Sequence, residues 1–143
     1  MNYRDTASFG KRQEYSVIAE LLKRRFDVYR TLVDDQGIDC IIRINNKRYL
    51  DIQIKARSKG VKRWNFFPQL SFKPRDNFYF IFYTEKDNNL WIIPSKDIKK
   101  LGNKMKSGKN VGTISLSLPK TEKGTKTEKF KKYKNEDGFK LLR

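Results

Sequence analysis

The chain has 143 residues, with 33 Lys or Arg against 16 Asp or Glu, no His, one Cys and a formal net charge of +17. That length suits one domain with its own core, and a hydrophobic content of 37%, much of it aromatic, can sustain it. The missing His and second Cys exclude His-based acid–base catalysis, Ser-His-Asp and Cys-His machinery, the usual His/Cys zinc sites and an internal disulfide.

In chain order, Gly10 to Arg25 reads as a helix, because Tyr15, Ile18, Leu21, Leu22 and Phe26 recur at spacings of three and four. Val28 to Leu32 is a short strand candidate, followed by the polar turn Asp34-Asp35-Gln36-Gly37. Ile38 to Ile44 and Tyr49 to Ala56 form two strands around the hairpin-like turn Asn45-Asn46-Lys47. A loop of mixed aromatic and basic residues follows. Phe78 to Tyr83 and Leu90 to Ile93 are strands joined by the turn Lys86-Asp87-Asn88-Asn89. Pro94-Ser95 opens a short helix through Leu101, with Ser95 expected as its N-cap. Thr113 to Leu118 is the last strand. This order predicts an α/β fold with the N-terminal helix first and one central mixed sheet flanked by helices.

Charge is unevenly spread. Residues 1–98 carry 19 basic and 12 acidic groups, whereas residues 99–143 carry 14 and 4. We therefore expect an α/β domain over 1–118 and a basic C-terminal extension over 119–143, packed on or continuous with it. The extension reads as Lys-rich and poor in core residues until Phe139, Leu141 and Leu142. A strongly basic chain calls for a polyanionic partner, nucleic acid ahead of an acidic membrane surface. Apolar runs are too short to cross a bilayer, and the start, Met1 to Tyr15, has no apolar signal region. With no disulfide possible, a reducing, cytoplasmic setting without membrane association is expected.

Any chemistry falls to carboxylates, Lys, Arg, Tyr, Ser or a hard cation held by oxygen. The most informative segment runs from Gly37 to Lys55. In Leu50-Asp51-Ile52-Gln53-Ile54-Lys55 the side chains alternate, so Leu50, Ile52 and Ile54 share one face and Asp51, Gln53 and Lys55 the other. An ordinary half-exposed strand has the same pattern. Asp39 adds to it: if the two strands pair as a hairpin, its carboxylate lies near the polar face of Asp51, Gln53 and Lys55. Carboxylate and amide oxygens are what Mg²⁺ takes while keeping several waters. Such a cation polarises a phosphoryl oxygen and acidifies water, and a neighbouring Lys orients that water or stabilises developing charge.

Gly37-Ile38-Asp39 followed by Gln53-Ile54-Lys55 resembles the D…(E/Q)xK signature of the PD-(D/E)XK nuclease superfamily, most closely its Holliday-junction-resolvase and methyl-directed restriction branches. The resemblance covers roughly residues 9–98, with Gly10-Lys11-Arg12-Gln13-Glu14 at the place of the helix-borne Glu and Leu90-Trp91-Ile92-Ile93-Pro94-Ser95 at a late strand and helix start. It implies a restriction-endonuclease-like core and a Mg²⁺- or Mn²⁺-dependent phosphodiesterase acting on DNA, branched or modified DNA included. By position, Asp39 is the central metal ligand, Gln53 the second ligand, Lys55 the catalytic lysine, and Glu14 a ligand or water-positioning group. Ile38 stands where the signature has Pro. Gln53 stands where an acid is commonest, so the site has one negative charge less and holds Mg²⁺ less tightly, with Asp51 or Glu14 placed to compensate. A homodimer is a further implication, since many such nucleases cut two strands as dimers.

The second reading is a catalytically silent nucleic-acid-binding module of the same fold; a third is an RNA-directed nuclease. For binding, Arg57, Lys59, Lys62, Arg63, Lys73 and Arg75 are interleaved with aromatics just after Lys55. Among these Trp64 is expected to be exposed, while Phe66, Phe67 and Phe72 are expected to seal the sheet. Lys129, Lys131, Lys132 and Lys134 are candidates for tracking a phosphate backbone. Glu20 reads as a solvated helix charge, and Cys40 as a small core residue without a base to activate it.

Overall fold

The apolar stripe of the N-terminal segment forms helix α1, Tyr3–Lys23. It begins well before Gly10 because Asn2 caps it: the Asn2 side-chain oxygen accepts from the Asp5 N–H at 2.9 Å. Val17 and Leu21, with Ile18 beside them, turn inward onto the sheet. The helix stops where Arg25 takes a left-handed φ of 65°. The computed structural model describes residues 2–33 and 36–143, so Asp34 and Asp35 of the expected turn lie outside the described residues.

Strands β1 (Asp27–Arg30), β2 (Cys40–Asn45) and β3 (Arg48–Arg57) follow as an antiparallel meander. The chain then makes a strand β4 (Phe66–Leu70) before β5 (Phe78–Thr84), which lies parallel to β3, and β6 (Asn89–Pro94), which returns antiparallel to β5. The five-stranded mixed sheet has the order β1-β2-β3-β5-β6. Its strand β5 is buried on both faces, as its unbroken apolar sequence requires. Tyr79 and Ile81 join Cys40, Ile42, Leu50, Ile52 and Ile54 under α1; Phe78, Phe80 and Phe82 face the other way.

Helix α2 (Ser95–Leu101), strands β7 (Asn103–Lys104) and β8 (Ile114–Ser117), and helices α3 (Thr125–Phe130) and α4 (Asn135–Phe139) complete the chain. The structure corrects three expectations here. The last strand does not join the central sheet: β8 lies between β4 and β7 in a separate three-stranded sheet. That sheet covers the phenylalanine row, with Phe67 and Phe82 ring centroids 4.7 Å apart and Phe72 edge-on to Phe80 at 4.9 Å. Second, Ser95 does not cap α2. It is fully buried, and its hydroxyl accepts from the Arg75 N–H and donates to the Arg75 carbonyl, each at 3.0 Å.

Third, the C-terminal segment holds more core than its lysines suggest. Phe130 and Tyr133 are 1% exposed and pack with Trp91, and the Tyr133 hydroxyl donates to Asp97 at 2.7 Å. Phe139 and Leu142 enter the core beneath α1. The chain comes so close on itself that a Cβ at Gly138 would stand 2.2 Å from the Tyr133 carbonyl oxygen, which only glycine avoids. Among the described residues no helix is long and apolar enough to cross a membrane.

Candidate functional site

The site begins at the turn into β2. Gly37 has a φ of 71°, a conformation that glycine adopts without strain. Thr31, just after β1, then clamps the next two peptides. Its hydroxyl lies 2.7 Å from the Ile38 carbonyl and 3.2 Å from that of Asp39. The Asp39 N–H donates to the Ile52 carbonyl at 2.8 Å, and Asp39 Oδ2 accepts from the Ile54 N–H at 2.7 Å. A carboxylate held by a main-chain N–H is a charge-assisted contact that fixes its orientation.

Pairing of Cys40 with Ile52 sets the register of the hairpin. Cys40 and Ile52 point into the core, so Asp39 and Gln53, one residue out on each strand, belong to the opposite face. The Gln53 carboxamide lies against the turn itself: a Cβ added at Gly37 would meet its Nε2 at 3.1 Å and its Oε1 at 3.3 Å. Asp39 and Gln53 are thereby brought together. Lys55 leaves β3 two residues further on the same face and is half-buried. The row Asp51, Gln53, Lys55 runs alongside Phe78, Phe80 and Phe82 of β5, so it lies on the sheet face that the second layer covers.

The other carboxylates are engaged. Asp51 pairs with Arg75 at 2.6 Å, and Arg75 also sits over the Phe78 ring. Glu14 pairs with Lys11 at 3.0 Å, a contact that raises the Lys11 ammonium above its ordinary value, to which Asp39 adds. Burial, then the charges of Asp39 and Glu14, push the Cys40 thiol up to about 12, so both carboxylates flank a core thiol that stays protonated. Glu20 is tied to Arg24 at 2.6 Å and to Lys23 at 3.3 Å. Among the described residues no three His, Cys, Asp or Glu side chains converge on a common metal position. The side chains that the register places side by side, Asp39 and Gln53, are one carboxylate and one amide.

Around this face, Arg57 follows Lys55 by two residues and donates to the Arg63 carbonyl at 3.1 Å. Its Nε is buried without a hydrogen-bond partner, and burial, with Arg63 nearby, lowers its affinity for the proton. Arg63 lies 3.6 Å over the Phe66 ring. Trp64 is half-buried, so the expectation of an exposed aromatic is corrected; Arg63 shields its neighbour Phe66 instead. Phe67 and Phe72 seal the sheet as expected. Lys62 and Lys73 are exposed, and the Lys59 N–H is held by Glu85. Lys129, Lys131 and Lys132 are exposed, whereas Lys134 pairs with Glu122 and lies over Trp91. Thr31 carries no pattern that marks it in sequence; only the closure of the turn gives it a role.

Neither family models nor curated proteins match the chain. Among solved structures it is similar to a bacterial homing endonuclease, I-Ssp6803I, with a TM-score of 0.62 at 17% identity over 93% of this chain and 87% of that one. The likeness is one of fold. The N-terminal helix followed by a mixed sheet with helices, expected from the element order, is an endonuclease-like fold, as the resemblance implies.

Proposed function

We propose that this chain is a metal-dependent endonuclease of the PD-(D/E)XK kind, hydrolysing phosphodiester bonds of DNA. The observation that carries the reading is the meeting of Asp39 and Gln53 at the start of β2, with Lys55 on the same face.

Each residue has a role that its surroundings support. Asp39 is oriented by the Ile54 N–H, from which its Oδ2 accepts at 2.7 Å. Gln53 adds a neutral oxygen beside it. Lys55 supplies a positive charge two residues on, suited to orienting a water and to stabilising charge that develops on the phosphate. Glu14, held by Lys11, is the helix-borne acid of the proposal. Asp51, held in the Arg75 pair, is a further carboxylate on the strand face of Gln53 and Lys55. Hard oxygen donors suit Mg²⁺ or Mn²⁺, and a site with one carboxylate fits a cation that takes the rest of its shell from water and substrate phosphate. When bound, the cation polarises the phosphoryl oxygen and offsets negative charge. One site per chain cuts one strand, so cleavage of a duplex calls for two copies, and a homodimer is part of the same proposal.

A second reading, a silent nucleic-acid-binding module, is favoured by two observations: the neutral Gln53 and the absence of a three-acid cluster among the described residues. The two are separated by incubating supercoiled plasmid, four-way junction DNA and single-stranded RNA with the protein in Mg²⁺ or Mn²⁺, alongside Asp39→Asn and Lys55→Ala. The endonuclease reading expects nicking of DNA that Asp39→Asn abolishes and Lys55→Ala slows on the order of 10²-fold or more. DNA binding with no cleavage of any substrate would establish the module instead.

A further inference from the structure

The lysines at the start of the C-terminal segment are sorted by side. Lys120, Lys123 and Lys126 line a groove of about 530 Å³ together with Arg63, Thr121 and Thr125. No Asp or Glu is among its described lining residues. The acids of the same segment, Glu122 and Glu128, line a different cavity on the far side of α3, next to Trp91 and Lys134, and Glu122 pairs with Lys134 there. Like charges gathered on one wall without counter-charge repel one another. The fold nevertheless holds the wall in place through buried contacts. The Asn65 side chain donates to the Leu118 carbonyl at 2.7 Å, the Leu118 N–H donates to the Asn65 carbonyl at 2.9 Å, and Arg63 is stacked on Phe66. Lys126 is exposed, and partial desolvation, followed by the charges of Lys120 and Lys129, holds its ammonium below its ordinary value.

The groove is also joined to the candidate active face. Arg57 leaves β3 on the same side as Lys55 and donates to the Arg63 carbonyl, so one guanidinium spans from the end of the catalytic strand to the groove wall. We infer that Arg63, Lys120, Lys123 and Lys126 form a phosphate-binding track that holds the nucleic-acid backbone flanking the bond to be cut. The inference rests on the endonuclease reading for the place of the cut, but not for the binding itself. Recognition is of phosphate charge and spacing, so it is independent of base sequence.

The test uses the full chain and a fluorescein-labelled DNA duplex, with affinity followed by anisotropy across a salt series. The groove variant is Lys120→Gln/Lys123→Gln/Lys126→Gln. The control, Lys104→Gln/Lys106→Gln/Lys109→Gln, removes the same charge from the exposed β7 strand and the loop after it. Each lysine that no longer neutralises a phosphate lowers the slope of log Kd against log salt by roughly 0.9, so the groove variant is expected to shed two to three units of slope. The control should stay close to wild type. Equal decreases in both variants, or no decrease in the groove variant, would overturn the track. Displacement of the duplex by inorganic phosphate or ATP at sub-millimolar concentration would also overturn it, assigning the groove to a small phosphorylated ligand. Cleavage is scored in parallel. A wild type that binds through the groove but cuts nothing leaves the track standing and removes the endonuclease reading. A wild type that cuts while the groove variant binds normally does the reverse.

Discussion

Asp39 Oδ2 accepts a hydrogen bond of 2.7 Å from the main-chain N–H of Ile54, 15 positions away along the chain. This single contact ties the proposed metal-binding carboxylate to the strand that carries Gln53 and Lys55. It also gives Asp39 a structural role beside the chemical one proposed for it.

The two roles separate by substitution. Asp39→Asn keeps an oxygen acceptor for the Ile54 N–H and should have a stability within about 1 kcal/mol of wild type, while cleavage is abolished. Asp39→Ala leaves that N–H without its partner and should cost about 1–3 kcal/mol in addition. Urea denaturation of the two variants, read beside plasmid nicking, checks the separation; equal stability of both would show that the contact contributes nothing to folding.

Gly37 tests whether Gln53 is seated by the turn. At Gly37→Ala the left-handed φ of 71° costs about 1–2 kcal/mol, and the new Cβ presses on the Gln53 carboxamide. In a Gln53→Ala background only the backbone cost should remain. A double-mutant cycle in urea should therefore give a coupling of about 0.5 kcal/mol or more. Strict additivity would mean that the carboxamide moves aside freely.

Arg24 links the end of α1 to Glu136 of α4 as well as to its own helix neighbour Glu20. The Arg24 hydrogen bonds hold both carboxyls below their ordinary value of 4.5. A depressed carboxyl stabilises the fold above the unfolded value, and that stability disappears as pH falls through the lower, folded value. Thermal melts should thus drop as pH is taken from about 5 to about 3, and Arg24→Gln should flatten that part of the profile while leaving the neutral-pH slope unchanged. An Arg24→Gln profile parallel to wild type throughout would rule out the linkage.

Phe130 measures how firmly the C-terminal segment belongs to the core. Its ring is edge-on to Trp91 at a centroid distance of 6.2 Å and is 1% exposed. Phe130→Ala should cost about 3–5 kcal/mol in urea denaturation. Neighbouring Lys129→Ala, on an exposed side chain, should change stability by no more than about 0.5 kcal/mol. Comparable effects at the two positions would place Phe130 outside the cooperative core.

Much of the molecule was written locally. The three- and four-residue spacing that includes Ile18 and Leu21 marks α1, and the alternation of Leu50, Ile52 and Ile54 marks β3 with its polar residues on the opposite face. The unbroken run from Phe78 to Phe82 marks a strand covered on both sides. Periodicity reports which face of an element is apolar, and at these residues the fold buries that face. The charge and the missing His likewise limit the available chemistry along the chain itself.

Other features depended on distance in space. Phe130 and Tyr133 sit among lysines, and their burial is decided by Trp91 and Asp97, which lie far earlier in the chain. The Ser95 hydroxyl has the residue type and place of a cap, yet Arg75 claims it from another segment. Pairing of Asp51 with Arg75 and of Glu14 with Lys11 reduces what those acids offer a cation, and only the folded chain sets these partners. The same holds for the lysines: sequence counts their charge, but the course of the chain from Lys120 into α3 decides that Lys120, Lys123 and Lys126 line one groove while Glu122 and Glu128 line another. Composition and period are properties of neighbours along the chain, whereas partner choice is settled by which surfaces the closing core brings within a few ångströms.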